Sequence, residues 1–184
     1  IIVNTASVYG MNDITHLGLY DIAMLSNIPN LVYLAPTSKK EYFAMLDWSI
    51  EQNTYPVAIK TPCNGVIDDD REVCENYSDI NKYKVEKEGE KVAIIALGDF
   101  YQIGEEVEKE LKEKLDINAT LINPRYITGL DEELLENLKQ NHNLVITLED
   151  GILEGGFGEK IASFYGTSDM KVKNYGIKKA FYDR

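Results

Sequence analysis

Short apolar runs alternate along this chain with helix-length amphipathic stretches, and that alternation leaves few folds open. Residues 1–3, 31–35, 56–60, 91–97, 119–123, 143–148 and 170–175 read as strands, with a smaller one at 83–85. Between them, 19–25, 39–52, 101–115, 131–139 and 158–164 read as helices. Strands joined through helices must run parallel, because antiparallel neighbours need only a tight turn. The fold class expected is therefore α/β, in two parts. From Thr61 to about Ser78 the periodicity disappears into Pro, Asn, Gly and acidic residues, which reads as a linker. Within the helices, Ser38 with Glu41 three residues on reads as a capping box. Phe43, Leu46 and Ile50 should share one face, and Ile103, Val107 and Leu111 should point inward.

Charge narrows the functions open to the chain. With 19 basic against 31 acidic residues the net charge is −12. Nucleic acids and anionic membranes both require clustered Lys and Arg, so neither is an expected partner. No apolar run approaches the roughly 20 residues of a membrane span. Cys63 and Cys74 lack metal-ligand spacing and read as free thiols in a reducing cytoplasm. The chain opens on Ile1, inside a strand, and reads as a piece of a longer polypeptide.

Three stretches are candidates for chemistry. Gly10-Met11-Asn12-Asp13-Ile14-Thr15-His16-Leu17-Gly18 is a glycine-bracketed loop between a strand and a helix, where ligands bind in open α/β sheets. His16, one of two histidines, stands at its crest and suits proton transfer; a loop histidine bonded to backbone is the alternative. Glu149-Asp150, followed by Gly155-Gly156-Phe157-Gly158, offers helix-start amides to an anion, although close helix-to-sheet packing explains the glycines better. Arg125 follows a strand directly and suits an ion pair, with Glu149 or Asp150 as possible partners. His142, in a polar turn, reads as a surface residue.

Taken together, Thr15-His16-Leu17-Gly18-Leu19-Tyr20-Asp21, Ile28-Pro29-Asn30, Ala35-Pro36, Asn123-Pro124-Arg125-Tyr126 and Glu149 with Gly155-Gly156-Phe157-Gly158 resemble the transketolase superfamily of thiamine-diphosphate enzymes. Within it the similarity is to the 1-deoxy-D-xylulose-5-phosphate synthase family. The resemblance implies the end of a parallel-sheet pyrimidine-binding domain over residues 1–65, a linker at 66–77, and a doubly wound transketolase C-terminal domain over 78–184. It implies decarboxylation of pyruvate and two-carbon transfer to an aldehyde acceptor such as glyceraldehyde 3-phosphate, in isoprenoid precursor synthesis. Thiamine diphosphate and Mg²⁺ would serve the full-length protein, a homodimer, while the piece alone would bind neither. His16 matches the family's loop histidine, and Asp21 an acid at the next helix start. Asn12 stands where the family has an acid and Asp13 where it has a glycine. Thr5 and Cys63 stand where it has two phosphate-gripping arginines, and Thr128-Gly129 replace its Lys-Pro. These departures imply an acceptor other than a simple sugar phosphate. They also leave open a non-catalytic dimerisation or regulatory module; the β-subunit of a 2-oxo acid dehydrogenase is a further alternative.

Overall fold

The computed structural model describes residues 1–6, 16–62 and 65–182, with Thr5 and Ala6 described for their backbone alone. Two sheets form. The first holds β1 (Ile2–Ala6), β2 (Val32–Leu34) and β3 (Val57–Pro62) in the order β1-β3-β2, all parallel. The second holds β4 (Lys84–Lys87), β5 (Lys91–Ala96), β6 (Thr120–Asn123), β7 (His142–Ile152) and β8 (Lys171–Ile177) in the order β4-β6-β5-β7-β8. Only β4, against β6, is antiparallel among these pairs. The helices are α1 (Asp21–Leu25), α2 (Lys39–Glu51), α3 (Tyr101–Leu115), α4 (Glu132–Leu138) and α5 (Phe157–Tyr165), with a 3-10 turn at Gly98–Phe100.

The period-2 alternation of β5 assigns its two faces. Val92, Ile94 and Ala96 pack with Tyr101, Val107 and Leu111 of α3. Ala93, Ile95 and Leu97 face a cluster that contains Leu135 and Leu138 of α4 and Phe157, Ile161 and Tyr165 of α5. That cluster also takes in Ile22, Tyr33, Ala35 and Ala58 from the first sheet and its surroundings, so the two sheets share one core. Backbone joins them as well. Ala35 N–H donates to the Arg125 carbonyl at 2.8 Å and Ile127 N–H to the Tyr33 carbonyl at 2.7 Å. Residues 66–77 carry no helix or strand, as the sequence suggests, yet they are not loosely held. Tyr77 is fully buried with Val32, Leu34, Met45, Trp48 and Tyr126.

Several sequence expectations change on contact with the fold. In α2 the buried stripe is Glu41, Met45 and Trp48, while Phe43 and Ile50 are 50% and 72% exposed. The helix is apolar on more than one side, so hydrophobic spacing alone picked the wrong face. The capping box closes on one side only. Ser38 Oγ accepts from Glu41 N–H at 3.3 Å, but the Glu41 carboxylate reaches one residue further back, to the Thr37 N–H and hydroxyl, both at 2.8 Å. In α3, Ile103 is 41% exposed and Gly104 occupies the inner position. β7 runs on to Ile152, so Glu149 and Asp150 lie inside a strand instead of ending one. His142 is buried: Thr120 Oγ1 lies 2.7 Å from its Nε2, and its Nδ1 lies 3.1 Å from the Leu138 carbonyl. Burial holds the imidazole below its ordinary pKa.

Gly104 sets how closely α3 approaches the sheet, since a Cβ there would stand 2.6 Å from the Ala96 Cβ. Gly104→Val is expected to cost about 1–3 kcal/mol by overpacking. Ile103→Ala, one residue away on the open face, should stay within about 0.5 kcal/mol. Urea denaturation midpoints check both.

Candidate active site

In an open parallel sheet, ligands bind beyond the strand carboxyl ends where the winding direction reverses. The first sheet reverses between β1 and β3, because the chain passes from β1 over to β2 and returns to β3 between them. β1, the strand that precedes His16 in the sequence, is one of the two strands at that reversal. Asn12 and Cys63 lie outside the described residues. His16 itself sits in a short turn with an exposed side chain. Just beyond it Gly18 and Leu19 are buried, and the Leu19 carbonyl accepts the Ile152 N–H at 2.9 Å. The loop is thus tied to the tip of β7.

The second sheet reverses between β5 and β7, and there the sequence reading missed a cluster. Lys60 lies within β3 with its side chain 3% exposed, and its Nζ meets Asp150 Oδ2 of β7 at 2.5 Å with Asp150 fully buried. Asp99, from the turn after β5, feels the charge of Asp150, and Asp21 of α1 and the Tyr33 ring lie in the same field. Burial, then the Asp150 charge, pushes the Asp99 carboxyl up to about 7, partly offset by Lys60. Burial likewise raises Asp21 and Tyr33. The crevice at this second reversal is therefore filled by the first sheet's own lysine and by α1. A lysine closing the apolar run Val57-Ala58-Ile59 was the available signal, since a buried lysine demands an acidic partner.

The other two candidate stretches hold structure together. The anion at the α5 start is Glu149 itself: Phe157 and Gly158 N–H groups each donate to its carboxylate at 2.8 Å. A Cβ on Gly156 would stand 2.6 Å from that carboxylate, which explains the glycine. Burial outweighs the two amides and lifts Glu149 to about 7. Lys160, close by on α5, is lowered to about 8, again by burial, and donates to the Ile127 carbonyl at 2.6 Å. Arg125 makes no ion pair with Glu149 or Asp150. Its backbone adopts φ 60°, its guanidinium donates to the Lys82 carbonyl, and it lies 5.8 Å from the ring centroids of Tyr77 and Tyr126. Asn123 accepts from Arg125 N–H at 3.1 Å and donates to Glu41 at 3.0 Å, so this motif stitches the two sheets' surroundings together. Cys74 is a free thiol, donating to the Asn76 carbonyl.

Among the described residues no group of three His, Cys, Asp or Glu could hold a metal ion. Of the acids nearest to such a role, Asp150 is committed to Lys60. The described residues do not fit a magnesium diphosphate. No helix among the described residues is long and apolar enough to cross a membrane.

Removing one partner of a buried pair strands the other. Lys60→Met is expected to cost about 3–5 kcal/mol, and Lys60→Met with Asp150→Leu less than the sum of the single changes, in a double-mutant cycle of urea midpoints. The pH dependence has a definite sign. Asp99 and Glu149 bind protons more tightly folded than unfolded, from ordinary values of 3.8 and 4.5. Their contribution is fully present at the acid end and is lost as pH rises through about 7. The urea midpoint should therefore be lower at pH 8 than at pH 6.

Residues 81–182 match the family described as transketolase, C-terminal domain. Over 180 residues, 96% of this chain, it is 33% identical to 1-deoxy-D-xylulose-5-phosphate synthase of Lachnoclostridium phytofermentans. It is 34% identical over 173 residues to the Clostridium beijerinckii enzyme of that name, and 32% identical over 185 residues to that of Shouchella clausii. The chain spans only 27%, 27% and 29% of those relatives' lengths. A solved structure titled split gene transketolase, inactive beta4 tetramer, superposes with a TM-score of 0.81 at 24% identity, covering 91% of this chain and 55% of that one. The fold and the sequence agree, and the chain belongs to the transketolase family, whose C-terminal domain it carries.

Proposed function

We propose that this chain is the C-terminal portion of a thiamine-diphosphate-dependent synthase of the 1-deoxy-D-xylulose-5-phosphate synthase type. It would act in the cytoplasm, within a homodimer, on pyruvate and an aldehyde acceptor. Residues 1–65 would close a pyrimidine-binding domain, 66–77 would link, and 78–184 would form the C-terminal domain. The observation that carries this reading is the reach of the similarity, which runs through both sheets over 96% of the chain. That β1, the strand preceding His16 in the sequence, stands at the first sheet's reversal supports it.

In this reading the cofactor, which supplies the carbanion chemistry, is held with its metal by protein outside this chain. His16 presents an exposed imidazole that gives and takes protons at substrate oxygens. Asn12 and Cys63 would correspond to substrate-binding positions of the family, both substituted. Two lost arginine clamps, each charge-assisted hydrogen bond worth about 1.5–3 kcal/mol, remove the grip on a phosphate. Those same substitutions favour a second reading, a dimerisation or regulatory module of this fold without turnover.

Three measurements test these readings. In the complete enzyme His16→Ala should lower kcat by about 10²–10⁴-fold. An unchanged kcat refutes the role of His16. Glyceraldehyde should rival glyceraldehyde 3-phosphate as acceptor; a strong preference for the phosphate overturns the altered acceptor site, and no turnover with either supports the module. Calorimetry of this chain alone with thiamine diphosphate and Mg²⁺ should give no micromolar binding.

A further inference from the structure

The second sheet is covered unevenly. On one face α3 packs over β5 and β6, and Val92, Ile94 and Ala96 are buried there. Further across the same face Leu144 and Ile146 of β7 are only half-buried. Their neighbours on β8, Lys171 and Lys173, are exposed, and Tyr175 beyond them is 51% exposed. Parallel strands are stable with both faces covered. The lysines are unusual in this chain as well. Every lysine from Lys39 to Lys139 pairs with an acid. Lys171 and Lys173 pair with none among the described residues; the Lys173 ammonium lies 5.5 Å from the Tyr175 ring centroid. Lysines on an edge strand such as β8 deter strand pairing, yet they leave the apolar margin beside them open.

The same chain carries a helix stripe that fits this face. α2 turns Phe43, Asp47, Ile50 and Glu51 to solvent on one side, so apolar and acidic side chains share a stripe. Asp47 and Glu51 form no ion pair among the described residues. The spacings agree. Asp47 and Glu51 stand four helical residues apart, about 6 Å along the axis. Lys171 and Lys173 stand two strand residues apart, about 6.6 Å. We propose that α2 of one copy docks on the open β7–β8 face of a second copy, with Phe43 and Ile50 against Leu144 and Ile146, and Asp47 and Glu51 meeting Lys171 and Lys173. A groove of about 610 Å³ between α2 and residues 68–75 leaves room for the Tyr175 ring at the margin of this contact. The occupant is a second copy because the two surfaces, complementary in sign, spacing and apolar content, belong to one chain. Made twice about a two-fold axis, the contact closes on itself. Two chains of net charge −12 repel at a distance, so their approach depends on this local pairing. The inference names surfaces for the homodimer proposed above and rests on that part of the reading, not on catalysis.

Charge reversal in the complete protein tests it. Asp47→Lys with Glu51→Lys, and separately Lys171→Glu with Lys173→Glu, should each raise the dimer dissociation constant about tenfold or more in sedimentation equilibrium. All four changes together should bring it back to within about threefold of the wild type. The four side chains are exposed, so the urea midpoint of each variant should stay where it is. Carbodiimide, which joins an amine to a carboxyl in contact with it, should link Lys171 or Lys173 to Asp47 or Glu51 between an isotope-labelled copy and an unlabelled one. An unchanged dissociation constant in either reversed pair, or no recovery in the fourfold variant, overturns the proposal. So do links confined to one copy or made to a different protein, which would put another occupant on the face. Assembly is measured without substrate, so an inactive enzyme leaves the contact standing. A dimer indifferent to these charges removes the contact and keeps the synthase reading; a monomer at every concentration removes the homodimer with it.

Discussion

Lys60 and Asp150 meet with almost no water between the two sheets, and much of the arrangement depends on that pair. A lysine and an aspartate buried apart would each lose several kcal/mol of hydration, so each can be buried where it is only if the other is there. Apolar contact fixes that two faces are buried but tolerates sliding. A 2.5 Å ion pair does not, and it fixes β3 against the last residues of β7. From that fixed point Gly151 and Ile152 take hold of α1 and of the chain that leads back to His16. The C-terminal sheet therefore helps to place the loop of the first.

Both sheets reverse their winding, yet the two reversals are treated differently. The physical rule that puts ligands at such points rests on a crevice between diverging connections, lined by strand ends and helix starts. In the second sheet the crevice is plugged by Lys60 and α1, and the helix-start amides of α5 are spent on Glu149. With anion sites satisfied internally, that sheet has little left for a phosphate. At the first sheet's reversal stands β1, the strand that precedes His16 in the sequence. One chain thus uses the same topology once for a candidate site and once for a joint.

The architecture was legible in the sequence because it rests on periodicity and punctuation. Each strand among the described residues overlaps a stretch read as one, and Asp131, which opens the stretch read as the fourth helix, caps it by accepting the Leu134 N–H. The helix faces were less legible. Phe43 and Ile50 are apolar and exposed, Glu41 is charged and buried, and only the pairing of Glu41 with Thr37 and Asn123 explains why. Arg125 was read as half of an ion pair because its charge seemed to demand one. Carbonyl and ring contacts satisfy it instead, which no spacing reveals. His142 looked like a turn residue until Thr120, on a strand neighbouring β5, supplied its partner. In each case the deciding group is distant in sequence. Local pattern carries no information about it.

The same reasoning explains why the cluster at the joint was missed while the residues in it were seen. Asp150 was noted as an acid near a helix start and Asp21 as an acid opening a helix, and each has a sufficient local explanation. Lys60 was absorbed into an apolar run. What makes them one unit is the crossing of two sheets, a property of the assembled fold. A buried lysine inside a core strand is nonetheless a costly choice, and a chain that keeps one must balance it with acids from elsewhere. Here Asp150 meets the ammonium directly, and Asp21 and Asp99 lie in the same field. Crowding carboxyls about one ammonium makes it costlier to ionise them all, and burial together with the Asp150 charge holds Asp99 and Asp21 above their ordinary values.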